Sequence, residues 1–94
     1  MNELQELSRE AAKVHEVKVW TEFWCAIESE RKPFEVRFND RNYQVGDTMH
    51  LLDFDNATET YTGREAWRVI TFVLRGWGLQ DGYVALGLRA VVAL

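Results

Sequence analysis

The sequence predicts an α+β fold, a small and mostly antiparallel β-barrel against which one or two helices pack. The chain has 94 residues, which is the size of a single domain. Apolar and polar residues alternate in several short stretches, as they do in half-buried strands, and one stretch shows helical spacing instead. The resulting order of one strand, one helix and four closely spaced strands favours a small barrel with a helix packed against it.

Two regions are predicted along the chain, an N-terminal helix or arm at residues 1–13 and the folded domain at residues 14–94. Residues 14–19 alternate and are predicted to form the first strand, with His15, Val17 and Val19 on one face.

A helix is expected to follow from Trp20 and to end before Pro33, because the residue before a proline is pushed out of the α region. Its apolar face has the spacing i, i+3, i+4 and i+7 and comprises Trp20, Phe23, Trp24 and Ile27. The single cysteine, Cys25, is expected to be a small core residue on this helix.

The stretch PFEVRF at residues 33–38 alternates cleanly. We therefore expect one face, made of Phe34, Val36 and Phe38, to lie in the core. Glu35 and Arg37 are then expected in solvent or in a polar cleft.

The second half of the chain predicts three more strands. A tight turn at Gly46-Asp47 precedes a strand with the sequence TMHLLDF. A long strand from about residue 61 to residue 74 is expected to bend or bulge near Gly63 and to bury Trp67. The last strand, YVALGL, is expected to end at about Leu88.

Composition excludes several classes of function. The net charge is −4, with 11 Lys and Arg against 15 Asp and Glu, which argues against tight binding to long duplex nucleic acid. The N-terminus lacks an apolar signal segment, and no stretch approaches the roughly 20 apolar residues of a membrane span. Together with the single cysteine, these features predict a cytoplasmic protein that does not bind membranes. Two isolated histidines and the absence of a Gly-rich phosphate loop predict neither a metal site nor a cofactor.

The stretch ERKPFEVRFNDRNYQVGD at residues 30–47, with HEVK before it and GYVALGL after it, resembles the ASCH domains of the PUA-like superfamily. Within that superfamily it is most similar to a small branch, common in bacterial and phage genomes, that is labelled a domain of unknown function. The resemblance covers about residues 14–89. It implies a PUA-like pseudo-barrel with a cleft between helix and barrel, and it implies binding of RNA, a single-stranded nucleic acid or a modified nucleotide.

Residue chemistry in the motif fits such a ligand. Arg37 offers a planar fork of donors for a phosphate or a base edge, Asn39 both donates and accepts, and Trp77 between two glycines can stack on an exposed base. The residues predicted to bind the ligand are Lys18, Lys32, Glu35, Arg37, Asn39, Arg41 and Trp77.

Two alternatives stay open. One ASCH relative is a small amidohydrolase that removes acyl groups from cytidine N4, with a Lys followed three residues later by a Thr nucleophile. Lys32 matches that Lys, but Glu35 stands where the nucleophile is expected. An enzyme would therefore depend on Lys32 and Glu35, with Glu35 as the base that activates water, and binding is predicted in preference to catalysis. The third possibility is a protein-interaction or regulatory domain.

Overall fold

Residues 12–91 are described by the structure, a computed structural model. The predicted arm at residues 1–13 therefore lies outside the described residues except for its last two positions, as do residues 92–94. The elements are β1 (Val14–Trp20), a 3-10 turn (Thr21–Phe23), α1 (Trp24–Glu28), β2 (Phe34–Phe38), β3 (Thr48–Asp55), β4 (Thr60–Arg75) and β5 (Tyr83–Ala90). This order of strand, short helix and four strands is the predicted one. Within residues 12–91, no helix is long and apolar enough to cross a membrane.

The five strands form one mixed sheet in the order β1-β3-β4-β5-β2. β1 pairs with β3 in parallel, whereas the β3–β4, β4–β5 and β5–β2 pairs are antiparallel. β1 and β2 are therefore the two edges of the sheet.

The sheet is curled into half of a barrel. Its two edges lie so close together that single arginine side chains span the gap between them. Arg37 Nη1 on β2 donates to the carbonyl oxygen of Lys18 on β1 at 3.1 Å. Arg41 Nη1, just after β2, donates to the carbonyl oxygen of Glu16 at 2.6 Å. The gap between β1 and β2, which we call the seam, is thus bridged by side chains rather than by a backbone ladder.

The concave face of the sheet and α1 enclose the core. As predicted, β1 alternates, with His15, Val17 and Val19 buried. The largest side chains of the core belong to α1, the loop before β3, and the inner faces of β3, β4 and β5, and are Trp24, Ile27, Tyr43, Met49, Leu51, Ile70 and Leu86.

The predicted orientation of β2 is wrong. Phe34, Val36 and Phe38 are all exposed, whereas Glu35 is buried and Arg37 is half-buried. The period of two is correct, but the polar face points inward. The physical reason is that β2 is an edge strand beside the open seam, where Glu35 finds two cationic partners that compensate for its burial.

The predicted apolar helix face is half correct. Trp24 and Ile27 are buried, but Trp20 and Phe23 are exposed, because Trp20 still belongs to β1 and Phe23 to the 3-10 turn. Cys25 is exposed rather than part of the core.

The predicted bulge near Gly63 is confirmed, but Trp67 on the same strand is exposed rather than buried. Asp53 of β3 lies opposite three residues of β4, Thr62 to Arg64, where the register shifts. Thr62 Oγ1 and Arg64 Nε donate to Asp53 Oδ2 at 2.7 and 2.9 Å. Burial opposes ionisation of Asp53, but these donors outweigh it, so its pKa lies below the usual value.

Asp47 fastens the start of β1 to the turn before β3. Its Oδ2 accepts from His15 Nε2 at 2.7 Å and from the Gln44 N–H at 3.1 Å, and its Oδ1 accepts from the Lys13 N–H at 3.1 Å. Burial raises the pKa of Asp47, but these hydrogen bonds lower it by more, so the pKa lies below the usual value. His15 is therefore a structural partner of this carboxylate.

Candidate ligand-binding cleft

The seam opens into a concavity with a volume of about 520 Å³ beside the 3-10 turn. We call it the cleft. It is formed by the end of β1, the 3-10 turn, the residue before Pro33 and β2, and its charged lining residues are Lys18, Lys32, Glu35, Arg37 and Asp40. Four of these five, all except Asp40, are residues that the sequence predicted to bind a ligand.

Glu35 is the centre of the polar floor. Its side chain is 7% exposed, and its two oxygens face different cations. Lys32 Nζ contacts Oε1, and Arg37 Nη1 lies 3.2 Å from Oε2. Charge-assisted bonds of this kind hold both cations in fixed positions.

The local sequence explains this arrangement. Pro33 stands directly before β2, where a strand tolerates proline. The period of two then places Glu35 and Arg37 on the same face. Lys32 Nζ also donates to the carbonyl oxygen of Phe34 at 3.2 Å, which turns the lysine along the strand and toward Glu35.

Lys18 stands on the opposite wall of the cleft. Its Nζ lies 4.3 Å from the centroid of the Phe54 ring, a cation–π contact that keeps the ammonium at the surface. Its carbonyl oxygen is the acceptor of the Arg37 bond across the seam. The two walls are therefore connected through Arg37.

Exposed aromatic side chains form the rim of the cleft. They come from β1, the 3-10 turn, β2 and the start of β5, and are Trp20, Phe23, Phe34, Phe38 and Tyr83. Lys32 Nζ lies 5.2 Å from the Phe23 centroid and 5.1 Å from the Phe34 centroid. The cleft thus combines a charged floor with flat apolar walls.

Three of the predicted ligand residues do not line the cleft. Asn39 lies beyond the end of β2, and its Oδ1 accepts from the Tyr43 N–H at 3.0 Å. Arg41 is used to bridge the seam to Glu16. Trp77 is 89% exposed on the loop between β4 and β5.

Sequence reasoning missed the aromatic rim. Trp20 and Phe23 fit a helical stripe and were therefore placed in the core. The sequence does contain a pattern that predicts an exposed Tyr83. The large residues of β5 are Val84, Leu86 and Leu88, and they are buried. The residues on the face of Tyr83, Ala85 and Gly87, are small. That pattern indicates that Tyr83 lies on the outer face.

The second histidine, His50, is held by packing and by two carboxylates of the sheet. His50 stacks on Trp67 with ring centroids 3.9 Å apart, and its two nitrogens lie 3.3 Å from Glu16 and 2.9 Å from Glu65. Among the described residues, no group of three His, Cys, Asp or Glu side chains is arranged to hold a metal ion.

Comparison with known proteins gives two similarities. The model of a family described as a domain of unknown function (DUF3850) matches residues 14–88. A protein of Escherichia phage P2, described as an uncharacterized 12.9 kDa protein in the GpA 3′ region, is 39% identical over 77 residues, which cover 80% of this chain and 67% of the phage protein. The family match includes every residue of the cleft.

Proposed function

The chain belongs to the DUF3850 family, and from that premise we propose that it is a binding module for RNA or a modified nucleotide. The ligand would occupy the cleft, which lies between the 3-10 turn that precedes the short helix and the curled sheet. The observation that carries this proposal is the contact of Lys32, Glu35 and Arg37 on the floor of a cleft that is rimmed by exposed aromatic rings and has Lys18 in its lining.

The size of the cleft suits a ligand of this class. Sites for small molecules have volumes of about 300–1,000 Å³, with apolar walls and a few fixed polar groups. The cleft, at about 520 Å³, has this composition.

The polar floor supplies groups that recognise phosphates and base edges. The described hydrogen bonds of Arg37 use Nη1 alone, so within residues 12–91 its Nε and Nη2 have no partner. Those two donors form the geometry that binds a phosphate or the edge of a base in bidentate fashion. Glu35 acts in this proposal by holding Lys32 and Arg37 in place.

The aromatic rim supplies the second half of nucleotide recognition. Stacking of a base on an aromatic side chain contributes about 1–3 kcal/mol per base and tolerates any sequence. Trp20 and Phe38 are exposed at the edge of the cleft and are the candidates for this contact.

The resemblance of residues 14–89 to ASCH domains of the PUA-like superfamily supports the same proposal. The finer fold assignment, a PUA-like pseudo-barrel, is part of it. A curled sheet with a cleft beside a short helix is the arrangement that this resemblance implies. Because one fold hosts many functions, the weight of the proposal lies on the cleft residues.

An amidohydrolase acting on N4-acylated cytidine is the second candidate, since Lys32 and Glu35 are in direct contact in the cleft. Glu35 stands where the ASCH amidohydrolase relative has its Thr nucleophile, and both of its oxygens are already engaged in holding Lys32 and Arg37. Binding is therefore better supported than hydrolysis. Release of free cytidine from N4-acetylcytidine, abolished by Glu35→Gln, would reverse this order.

A protein-interaction role is the third candidate, because β4 exposes Phe72 and Trp67 on its surface. Measurement of molecular mass against concentration by size-exclusion chromatography with light scattering separates this role from the first. Self-association together with an absence of nucleotide binding would favour it.

A thermal-shift screen tests the proposed function. The panel comprises nucleosides, nucleotides, modified cytidines and short single-stranded oligonucleotides. A ligand at 100 times its dissociation constant adds about 2.7 kcal/mol to the free energy of unfolding, which raises the melting temperature of so small a domain by about 10 °C or more. No shift across the panel would contradict the proposal.

A further inference from the structure

We infer that the surface next to the cleft holds the neighbouring nucleotide of a single strand. The inference rests on the proposed function and deepens it: the ligand is a strand of at least two nucleotides, rather than a mononucleotide. The second nucleotide would occupy a hollow of about 310 Å³ between the end of β2, the end of β4 and the loop before β5, which we call the second hollow.

The second hollow and the cleft form a continuous surface. Both are lined by Phe38 and Tyr83, so the two concavities adjoin at this pair of side chains, which we call the ridge. Their rings meet edge to face, with centroids 5.6 Å apart and planes at 75°. A base on each side of such a ridge can contact an aromatic ring while the sugar-phosphate chain crosses it.

The ridge is held rigidly by Gly82. This residue has φ +86°, and a Cβ added to it would lie 2.7 Å from Phe38 Cε1. The Phe38 ring therefore packs directly on the Gly82 backbone. The Gly82 carbonyl oxygen also accepts from the Asn39 N–H at 2.8 Å, which ties the end of β2 to the turn before β5. A preorganised ridge of this kind lowers the entropic cost of binding.

The second hollow carries donors that suit one phosphate and one base. Arg75, at the end of β4, is exposed and makes no ion pair or side-chain hydrogen bond within residues 12–91. Asn39 Oδ1 is occupied by the Tyr43 N–H, which leaves the amide NH₂ of Asn39 as a donor. Asp81 also lines the hollow, so its charge is mixed and suits a single phosphate contact rather than a long basic track.

The inference also gives a role to Asn39 and Trp77, two predicted ligand residues that lie outside the cleft. Asn39 lines the second hollow itself. Trp77 follows Gly76, a lining residue, and is the most exposed large hydrophobic side chain of the described residues. It stands where a strand that leaves the second hollow would pass.

Calorimetric titrations of the full chain test the inference. The probes are the four ribonucleoside 5′-monophosphates and the four matching 5′-phosphorylated homodinucleotides. For the base that binds best, we expect the dinucleotide to bind about 5- to 150-fold more tightly than the mononucleotide. Arg75→Ala should reduce this gain, because one phosphate contact is lost, without changing mononucleotide affinity. It should also reduce the slope of log K against log salt for the dinucleotide by about 0.7.

Arg89→Ala is the matched control, because Arg89 is an exposed arginine of β5 that lines neither concavity. Equal affinity for mononucleotide and dinucleotide would overturn the inference and leave the proposed function standing. A dinucleotide gain that Arg75→Ala and Arg89→Ala reduce equally would also overturn it, by placing the second nucleotide elsewhere. An absence of binding by all eight probes would overturn the inference and would restrict the proposed function to modified nucleotides.

Discussion

Arg37 joins the floor of the cleft to its opposite wall, since its Nη1 bonds both Glu35 and the carbonyl oxygen of Lys18. Arg37→Ala should lower nucleotide affinity about 10-fold or more, because a charge-assisted bond to the ligand is lost. The same change should lower the free energy of unfolding by only about 1 kcal/mol, because Lys32 still pairs with Glu35. Calorimetry and urea unfolding measure the two effects.

Arg41→Ala is the control for Arg37→Ala. Arg41 also bridges the seam, but it does not line the cleft. We expect a similar change in stability and a much smaller change in affinity. Equal loss of affinity in the two variants would show that the bridged seam, rather than the Arg37 side chain, determines binding.

Asp47 makes stability depend on pH in the acid range. Its pKa in the folded protein lies below the value of about 3.8 for the unfolded chain, so its contribution is complete above about pH 4 and is lost as pH falls through the lower pKa. Asp47→Asn should cost about 2–3 kcal/mol at pH 7 through the weakened bonds to His15 and two backbone N–H groups. Chemical unfolding at pH 3 and pH 7 should show a smaller difference for Asp47→Asn than for the wild type. An equal difference would assign the acid sensitivity to other carboxylates.

At the scale of the element, the turn before β5 determines where Phe38 lies. Gly82→Ala should be about 1–3 kcal/mol less stable than Gly78→Ala, which serves as its control. Both glycines have positive φ, +86° and +90°, so the strain on the backbone is shared, but only the Cβ at position 82 would overlap Phe38. Urea unfolding measures the difference. Equal destabilisation would mean that the Phe38 ring moves aside freely.

Strand β2 shows what the sequence can predict at this scale and what it cannot. Alternation in PFEVRF gives the strand and its period, and both are observed. Alternation does not give the side that faces inward, and apolar content assigns Phe34, Val36 and Phe38 to the core. The inward face is instead polar for two reasons. β2 is an edge strand, so no strand pairs with it across the seam. Lys32 and Arg37 also neutralise the buried Glu35.

The candidate site was partly predictable for a related reason. Lys32, Glu35 and Arg37 are close in sequence, so the strand alone brings them together. Lys18 joins them only because the sheet curls until one arginine side chain spans the gap between its two edges, a long-range result that no local pattern contains. Trp20 and Phe23 were assigned to a helix that begins later, at Trp24.

For the whole molecule, the charge distribution limits the kind of nucleic acid that can bind. The net charge is −4, so long-range attraction for a phosphate backbone is absent, and the cations of the cleft act locally. The slope of log K against log salt for a short single strand should therefore be about −0.7 to −1.4, equivalent to one or two phosphate contacts. Titrations between about 50 and 200 mM salt measure this slope. A slope steeper than about −3 would indicate an extended basic track.

The most direct test of the nucleotide-binding cleft is a chemical-shift titration of isotope-labelled protein with each of the four ribonucleoside 5′-monophosphates. We expect the largest shift changes at the Arg37 side chain, at the backbone of Lys32 and Glu35, and at the Trp20 indole. In Arg37→Ala, the changes at Lys32, Glu35 and Trp20 should require about 10-fold more nucleotide or greater. Changes confined to Trp67 and Phe72 on the surface of β4, or no changes with any of the four, would contradict nucleotide binding in the cleft.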